Sequence, residues 1–230
     1  MRALQLPGPV FQERFGGWYV TGYRGPVEHL GNFTGRLSPE GLTKIPIVPG
    51  QLFDYGRYPV ATSDILPQLL HEHQAGFVNR AVAAGYTARE VAQKATLDKT
   101  AGAKELDEQA RSLTRYILFA DEIPLPAGGI DGEPAYKADF FRQNHAGPNG
   151  ASLREFDLRT RLFRNRCSYM IYSTAFRGLP SEMKQRVYRR MGEALNVAQP
   201  DAEYAYLPVD EKQRIASILR KTLPDLPAGW

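Results

Sequence analysis

The sequence has few of the residues that build common cofactor sites. Its 230 residues include one cysteine, Cys167, so no intrachain disulfide and no CxxC metal or CxxCH haem-attachment motif is present. We interpret Cys167 as a small buried apolar residue rather than a reactive thiol. No GxGxxG or GxxxxGK[ST] pattern occurs in a strand–helix context, which argues against a phosphate-binding loop.

Long apolar runs and blocks of like charge are also missing. No run of eighteen apolar residues occurs, so no membrane span is predicted. Residues 1–20 lack the basic and apolar regions of a signal peptide. The net charge of +4 is spread over several segments, so nucleic acid is not an expected partner. A hydrophobic fraction of 43% with 23% charged residues indicates a soluble globular protein.

Helical periodicity dominates the rest of the chain and predicts a mainly α protein. Residues 61–230 form the predicted helical domain, a single globular domain of five to six helices. Residues 1–60, rich in proline and glycine, form a loop-rich N-terminal arm packed on that body. The arm holds a short predicted β element at 18–21 and at most one further strand at 44–48.

Capping signals and apolar stripes give the helix bounds. The predicted helices cover residues 62–86, 87–96, 104–120, 181–194 and 209–222. Thr62 or Ser63 caps the first helix, and Gly85 ends it. Residues 123–151 read as a linker. The capping box at 152–155 opens either a short turn or a helix continuing through Ser173. We expect Trp230 to pack back onto the body.

Two of the four histidines, His71 and His73, lie in the first predicted helix with Glu72 between them. Two positions along a helix turn about 200°, so the pair cannot hold one ion from one face, and HEH is not an HExxH zinc motif. His73 falls on the apolar face and is predicted to point into the core. Either a backbone carbonyl or carboxylate satisfies it there, or it reaches a site shared with a distant residue such as His29.

His29 lies in the predicted loop Glu28-His29-Leu30-Gly31-Asn32. Such a histidine either anchors its loop through a hydrogen bond or acts as a ligand or acid–base group. The acidic pair Asp121-Glu122, at the end of the third predicted helix, suits either a metal ion or a solvated turn.

Four sequence blocks together suggest a family. They are ERFGGWYVTG with His29-Leu30-Gly31-Asn32, Ser63-Asp64-Ile65 with Glu72-His73-Gln74, YILFADE at 116–122, and FDLRTRLFRNRCSYMIYSTAF at 156–176. In this order, and over almost the whole chain from Phe11, they resemble the C-terminal region of uncharacterised planctomycete and proteobacterial proteins described as cytochrome c-like domain-containing.

The resemblance implies a redox-associated module. Longer relatives carry CxxCH upstream of the first block and are exported, which implies a periplasmic location and a haem-bearing segment or partner. The residues that correspond to the family pattern are His29 and Glu72-His73-Gln74. Relatives carry a further histidine just before the residue matching Asn79, where this chain has Val78. A site that needs that histidine is absent here.

Three functions are compatible with the sequence. The first is a redox module accessory to haem-based electron transfer, with His29 or His73 as the cofactor-binding residues. The second is a metal-assisted acid–base enzyme with His29, Glu72 and His73 as ligands, joined by Asp121 or Glu122. The third is a structural or interaction domain without a cofactor. Haem and a metal ion are the candidate cofactors, and whether the chain is an enzyme stays open at this point.

Overall fold

The computed structural model describes residues 19–23, 25–26, 28–60, 63–94 and 102–230. These residues form a two-stranded antiparallel sheet, β1 (Phe33–Ser38) and β2 (Gly41–Pro46), and six α-helices. The helices are α1 (Ile65–Lys94), α2 (Ala103–Ile117), α3 (Pro134–Arg142), α4 (Thr174–Arg177), α5 (Ser181–Leu195) and α6 (Val209–Thr222). The prediction of a mainly α protein is confirmed. None of the helices in this described part is long and apolar enough to cross a membrane.

The chain divides into two compact units. The first unit comprises Met1–His71, Ile123–Asp139 and Asp157–Leu162. The second unit comprises Glu72–Glu122, Phe140–Phe156 and Phe163–Trp230. The first unit therefore contains the predicted arm, residues 1–60, together with later segments of the chain.

In the first unit the sheet is a hairpin, in register from Phe33 opposite Pro46 to Ser38 opposite Gly41. The strand predicted at 44–48 overlaps β2, whereas β1 was not predicted. The β element predicted at 18–21 is wrong for its described residues, of which only Thr21 makes an isolated bridge; Trp18 lies outside them. The reason is that the Val20 backbone pairs with a side chain. Its N–H donates to Oδ1 of Asn32 at 2.7 Å, and its carbonyl accepts from Nδ2 at 2.8 Å.

Helix α1 is longer than predicted. It begins at Ile65, after Asp64, whose Oδ1 accepts the Leu66 N–H at 3.3 Å. The predicted cap Thr62 lies outside the described residues. The predictions that Gly85 ends this helix and that a second helix begins at residue 87 are wrong. Gly85 does not adopt the left-handed conformation of a C-cap. Instead the buried face continues across it, through Ala84, Ala88 and Val91.

The core of the second unit includes the packing of α2 along α5. The predicted stripe of α2 is buried at Leu106, Ala110, Leu113 and Ile117. The predicted bounds of α6 are confirmed, and those of α5 are confirmed to within one residue. The methionines and valine predicted on the core side of α5, namely Met183, Val187 and Met191, are also buried.

Two segments after α2 bear on the sequence predictions. The first differs from its prediction, and the second decides between two alternatives. Helix α3 lies inside residues 123–151, which were predicted to be a linker. At residues 152–155 the short-turn alternative is correct. The Ser152 N–H donates to Oε1 of Glu155 at 2.6 Å, and the Arg154 N–H donates to Oγ of Ser152 at 3.1 Å. No α-helix follows this turn before α4.

Candidate functional site

The predicted inward orientation of His73 is confirmed, and its partner is a serine. Only 7% of His73 is exposed, and its Nε2 lies 2.7 Å from Oγ of Ser168, which is fully buried. Backbone hydrogen bonds hold this serine in place. Its Oγ accepts the Met170 N–H at 3.1 Å, and its own N–H donates to the Ile117 carbonyl at 2.8 Å. The partner is therefore a hydroxyl, not the backbone carbonyl or carboxylate considered from the sequence.

Aromatic rings surround the imidazole. The His73 ring is nearly parallel to Tyr116 and Phe119, with centroid distances of 5.4 and 4.8 Å. Phe163 and Tyr169 approach at steeper angles, with centroids 6.1 and 5.9 Å away. Such ring pairs favour offset-stacked and edge-on geometries over this range of distances. We define the His73 cluster as His73, Ser168, Tyr116, Phe119, Phe163 and Tyr169.

A glycine in α1 allows Tyr116 to reach the cluster. The Tyr116 hydroxyl donates to the His73 carbonyl at 3.0 Å. A Cβ at Gly76 would overlap this hydroxyl, so no other residue fits there without a shift. Arg80 covers the Tyr116 ring at 4.1 Å, and its Nη1 donates to the Gly76 carbonyl at 3.1 Å. Glycine is unfavourable inside a helix, and the close approach of the Tyr116 hydroxyl explains why it occurs at position 76.

Phe119 enters the cluster from an unusual backbone conformation. It follows α2 with φ of 56°, in the left-handed region that non-glycine residues rarely adopt. That conformation costs about 1–2 kcal/mol for an L-residue. The contact of its ring with His73 helps to offset this cost.

Burial keeps His73 neutral. Removal from water, and secondarily the positive charge of Arg80, lower the pKa of His73 from 6.5 to about 4. A neutral imidazole can accept the Ser168 hydroxyl proton at Nε2 or donate an Nε2 proton to Oγ, and either tautomer makes this hydrogen bond. At neutral pH His73 therefore acts as a fixed hydrogen-bonding group rather than as an acid.

The His73–Ser168 pair has the composition of a nucleophile and its base, but its surroundings do not suit catalysis. A serine nucleophile must be reached by the carbonyl it attacks. Ser168 is fully buried, and aromatic rings enclose the histidine. In this conformation no substrate reaches the hydroxyl.

A haem or metal ion bound through Nε2 of His73 does not fit this arrangement either. Nε2 faces Ser168 at hydrogen-bonding distance, so a ligand bond there would require Ser168 to move. Glu72, the neighbouring candidate ligand, is exposed whereas His73 is buried. Among the residues that the structure describes, no group of three or more His, Cys, Asp or Glu side chains could hold a metal ion.

His29, the other candidate, lies in the first unit and anchors its loop. It is fully buried, and its Nδ1 accepts the Gly31 N–H at 3.2 Å. This bond caps the 3₁₀ turn Leu30–Asn32. Nδ1 is therefore committed to the turn. Asp121, of the predicted acidic pair, is exposed in the second unit and forms an ion pair with Arg115 at 2.5 Å, which fits the solvated-turn alternative.

Ser168 is the partner of His73 that could not be identified from the sequence. Its only local signal is that of a cap, because it precedes the 3₁₀ helix Tyr169–Tyr172 and accepts the Met170 N–H. Nothing near it in the sequence indicates that the histidine 95 positions earlier is its partner.

Comparison with known proteins finds no matching family model, no matching curated protein and no matching solved structure. The resemblance to cytochrome c-like proteins therefore stays a prediction.

Proposed function

We propose that the chain is a structural or interaction module in which His73 stabilises the second unit and binds no cofactor. The observation that carries this proposal is the buried hydrogen bond between Nε2 of His73 and Oγ of Ser168. This hydrogen bond occupies Nε2 of His73, so a ligand could bond to that nitrogen only if Ser168 moved, and the burial of Ser168 keeps a substrate from its hydroxyl.

The hydrogen bonds next to the cluster support a stabilising role. Nε2 of Gln74 donates to the Tyr169 hydroxyl at 2.8 Å, which adds a second link between α1 and the 168–172 segment. The Tyr116 hydroxyl links α2 to α1 through the His73 carbonyl. Networks of satisfied buried polar groups rigidify a core and define one packing arrangement. The cluster thereby joins three segments that are distant in sequence.

The first test compares two histidines of one helix. We expect His73→Ala to lower the free energy of unfolding by about 3 kcal/mol or more, because it removes a buried ring and leaves a cavity. The matched control is His71→Ala, since His71 is exposed two positions away. Its effect should stay within about 0.5 kcal/mol. Urea unfolding followed by circular dichroism measures both.

The second test addresses the alternatives predicted from the sequence. Purified protein is titrated with hemin and, separately, analysed for Zn, Fe and Mn. The proposal expects no Soret band that depends on His73 or His29, and no stoichiometric metal. A Soret band altered by His73→Ala or His29→Ala would overturn the proposal in favour of a redox module. Bound metal lost in either variant or in Glu72→Ala would favour the metal-assisted enzyme.

A further inference from the structure

One exposed face of α1 carries no charge over several turns. From Glu72 onward α1 belongs to the second unit. Between Glu72 and Arg89 the exposed positions hold only uncharged residues, namely Gln74, Ala75, Asn79, Val82, Ala83 and Tyr86. Arg80, the one charged residue between them, is partly buried, and its guanidinium carbon lies 4.1 Å from the Tyr116 ring centroid. A helix face in contact with water is ordinarily polar and charged.

A neighbouring helix of the same unit has the ordinary surface. The exposed residues of α5 include the charged side chains of Glu182, Arg189 and Glu193. On the uncharged face of α1, by contrast, Val82 and Tyr86 are 47% and 64% exposed. This face of α1 therefore has the character of a contact surface rather than of a solvated one.

The spacing along this face is that of a helix–helix interface. Four of its residues follow one another at intervals of four, three and four positions: Ala75, Asn79, Val82 and Tyr86. They fall within about 60° of one another around the helix. Such spacing forms the seam of a coiled coil, in which side chains fit between those of a facing helix. One step of three positions further in each direction leads to Glu72 and Arg89, which are both exposed and opposite in charge.

We infer that this face of α1 docks against the same face of a second copy of the chain, with the two helices antiparallel. We define the α1 seam as Glu72, Ala75, Asn79, Val82, Tyr86 and Arg89. A two-fold axis between positions 80 and 81 matches the seam to itself. Tyr86 then lies across from Ala75 of the second copy, so a large side chain meets a small one, and Asn79 lies across from Val82.

The charges at the ends of the seam select the second copy and its direction. In the antiparallel arrangement Glu72 lies across from Arg89 of the second copy, and the symmetry repeats this pair at the other end. In a parallel arrangement Glu72 would face Glu72 and Arg89 would face Arg89, and like charges destabilise such a contact. This inference goes beyond the proposed function and does not depend on the role of His73.

Sedimentation velocity of the full chain at rising concentration tests for the dimer. The seam is short, so we expect a reversible monomer–dimer equilibrium rather than a permanent dimer. Val82→Lys places two like charges near the two-fold axis and should raise the Kd of the dimer about tenfold or more. The matched control is Gln185→Lys, which adds the same charge at an exposed position of α5 and should leave the Kd unchanged.

A charge exchange tests the ends of the seam. Glu72→Arg and Arg89→Glu, each alone, bring like charges together at both ends and should raise the Kd about tenfold. The double variant restores opposite charges across the interface, so its Kd should return to near that of the wild type. A contribution of these residues to the monomer alone would not be rescued in this way.

Cysteine cross-linking tests the register. Cys167 is buried, so an introduced cysteine is the accessible one. An equimolar mixture of Ala75→Cys and Tyr86→Cys should form a disulfide-linked dimer under mild oxidation, because these positions face each other. Neither variant should cross-link alone, because two copies of the same position lie about 16 Å apart along the antiparallel helices, too far for a disulfide.

Several outcomes would overturn the inference. A chain that stays monomeric at millimolar concentration would leave the α1 seam as a surface for a different protein. A dimer that Val82→Lys weakens no more than Gln185→Lys would lie elsewhere on the molecule. Cross-linking of each cysteine variant alone, without a preference for the mixture, would exclude the antiparallel register. Circular dichroism confirms that each variant is folded, and if Val82→Lys is not, the cross-linking experiment decides.

Discussion

Acid should destabilise this protein through one buried histidine. The pKa of His73 is 6.5 in an unfolded chain and about 4 in the folded protein. Between these values the unfolded state binds a proton that the folded state does not. Stability due to His73 is therefore complete above pH 6.5, falls as the pH drops, and levels off below about pH 4. At about 1.4 kcal/mol per pKa unit, the loss is about 3 kcal/mol.

The measurement is urea unfolding at intervals from pH 7.5 to 4, for wild type and for His73→Phe. Phenylalanine keeps a ring beside the aromatic residues but cannot titrate. Other groups also respond in this range. Burial and the charges of Arg154 and Arg177 lower the pKa of His145, and ion pairing helps to lower the pKa of Glu203. These groups are present in both proteins, so the difference between the two curves isolates His73.

The two curves should converge as the pH falls, because only the wild type loses the contribution of His73. Parallel curves across this range would refute the reasoning. So would a histidine titration near pH 6.5 in the NMR spectrum of the folded protein that His73→Phe removes. Either result would mean that burial does not hold the imidazole neutral.

Two further substitutions test the packing of the second unit. Gly76→Ala should lower the free energy of unfolding by about 1–3 kcal/mol through overpacking against Tyr116, although alanine in place of glycine ordinarily stabilises a helix by about 1 kcal/mol. In a Tyr116→Phe background this loss, measured by urea unfolding, should shrink. A gain in stability from Gly76→Ala in the otherwise wild-type protein would contradict the close approach of Tyr116. Glu211→Ala should cost about 3–5 kcal/mol because it strands the paired Arg166. The Glu211 side chain is 2% exposed and lies 2.6 Å from Nη2 of Arg166. The control is Asp210→Ala, at an exposed neighbouring position on α6. A loss in Tm for Glu211→Ala no larger than that of the control would contradict the predicted cost.

Helices could be predicted from the sequence where the apolar stripe and the charges of the first and last turns indicate the same bounds. In α6 a regular apolar stripe coincides with acidic residues in the first turn and Arg220 and Lys221 in the last. Helix α1 was misjudged because Gly85 and the residues after it carry local stop and start signals, while burial of Ala84, Ala88 and Val91 continues the helix. Tertiary packing overrides such local preferences.

The candidate site could be predicted only in part. The apolar periodicity of α1 indicates that His73 faces inward, and this is correct. Its partner could not be predicted, because Ser168 follows 95 residues later and carries only a capping signal. The positive φ of Phe119 is equally hidden, since a phenylalanine gives no sign of a left-handed backbone.

The left-handed Phe119 has a consequence for the exchange of amide hydrogens. Its N–H donates to the Tyr116 carbonyl at 3.2 Å, and the Ala120 N–H donates to the Arg115 carbonyl at 2.9 Å, so the last turn after α2 depends on this conformation. The contacts of its ring with His73 and Phe163 help to offset the cost of this conformation. These amides should therefore exchange with deuterium at the rate at which the whole His73 cluster opens, and not at the faster rate of a fraying helix end.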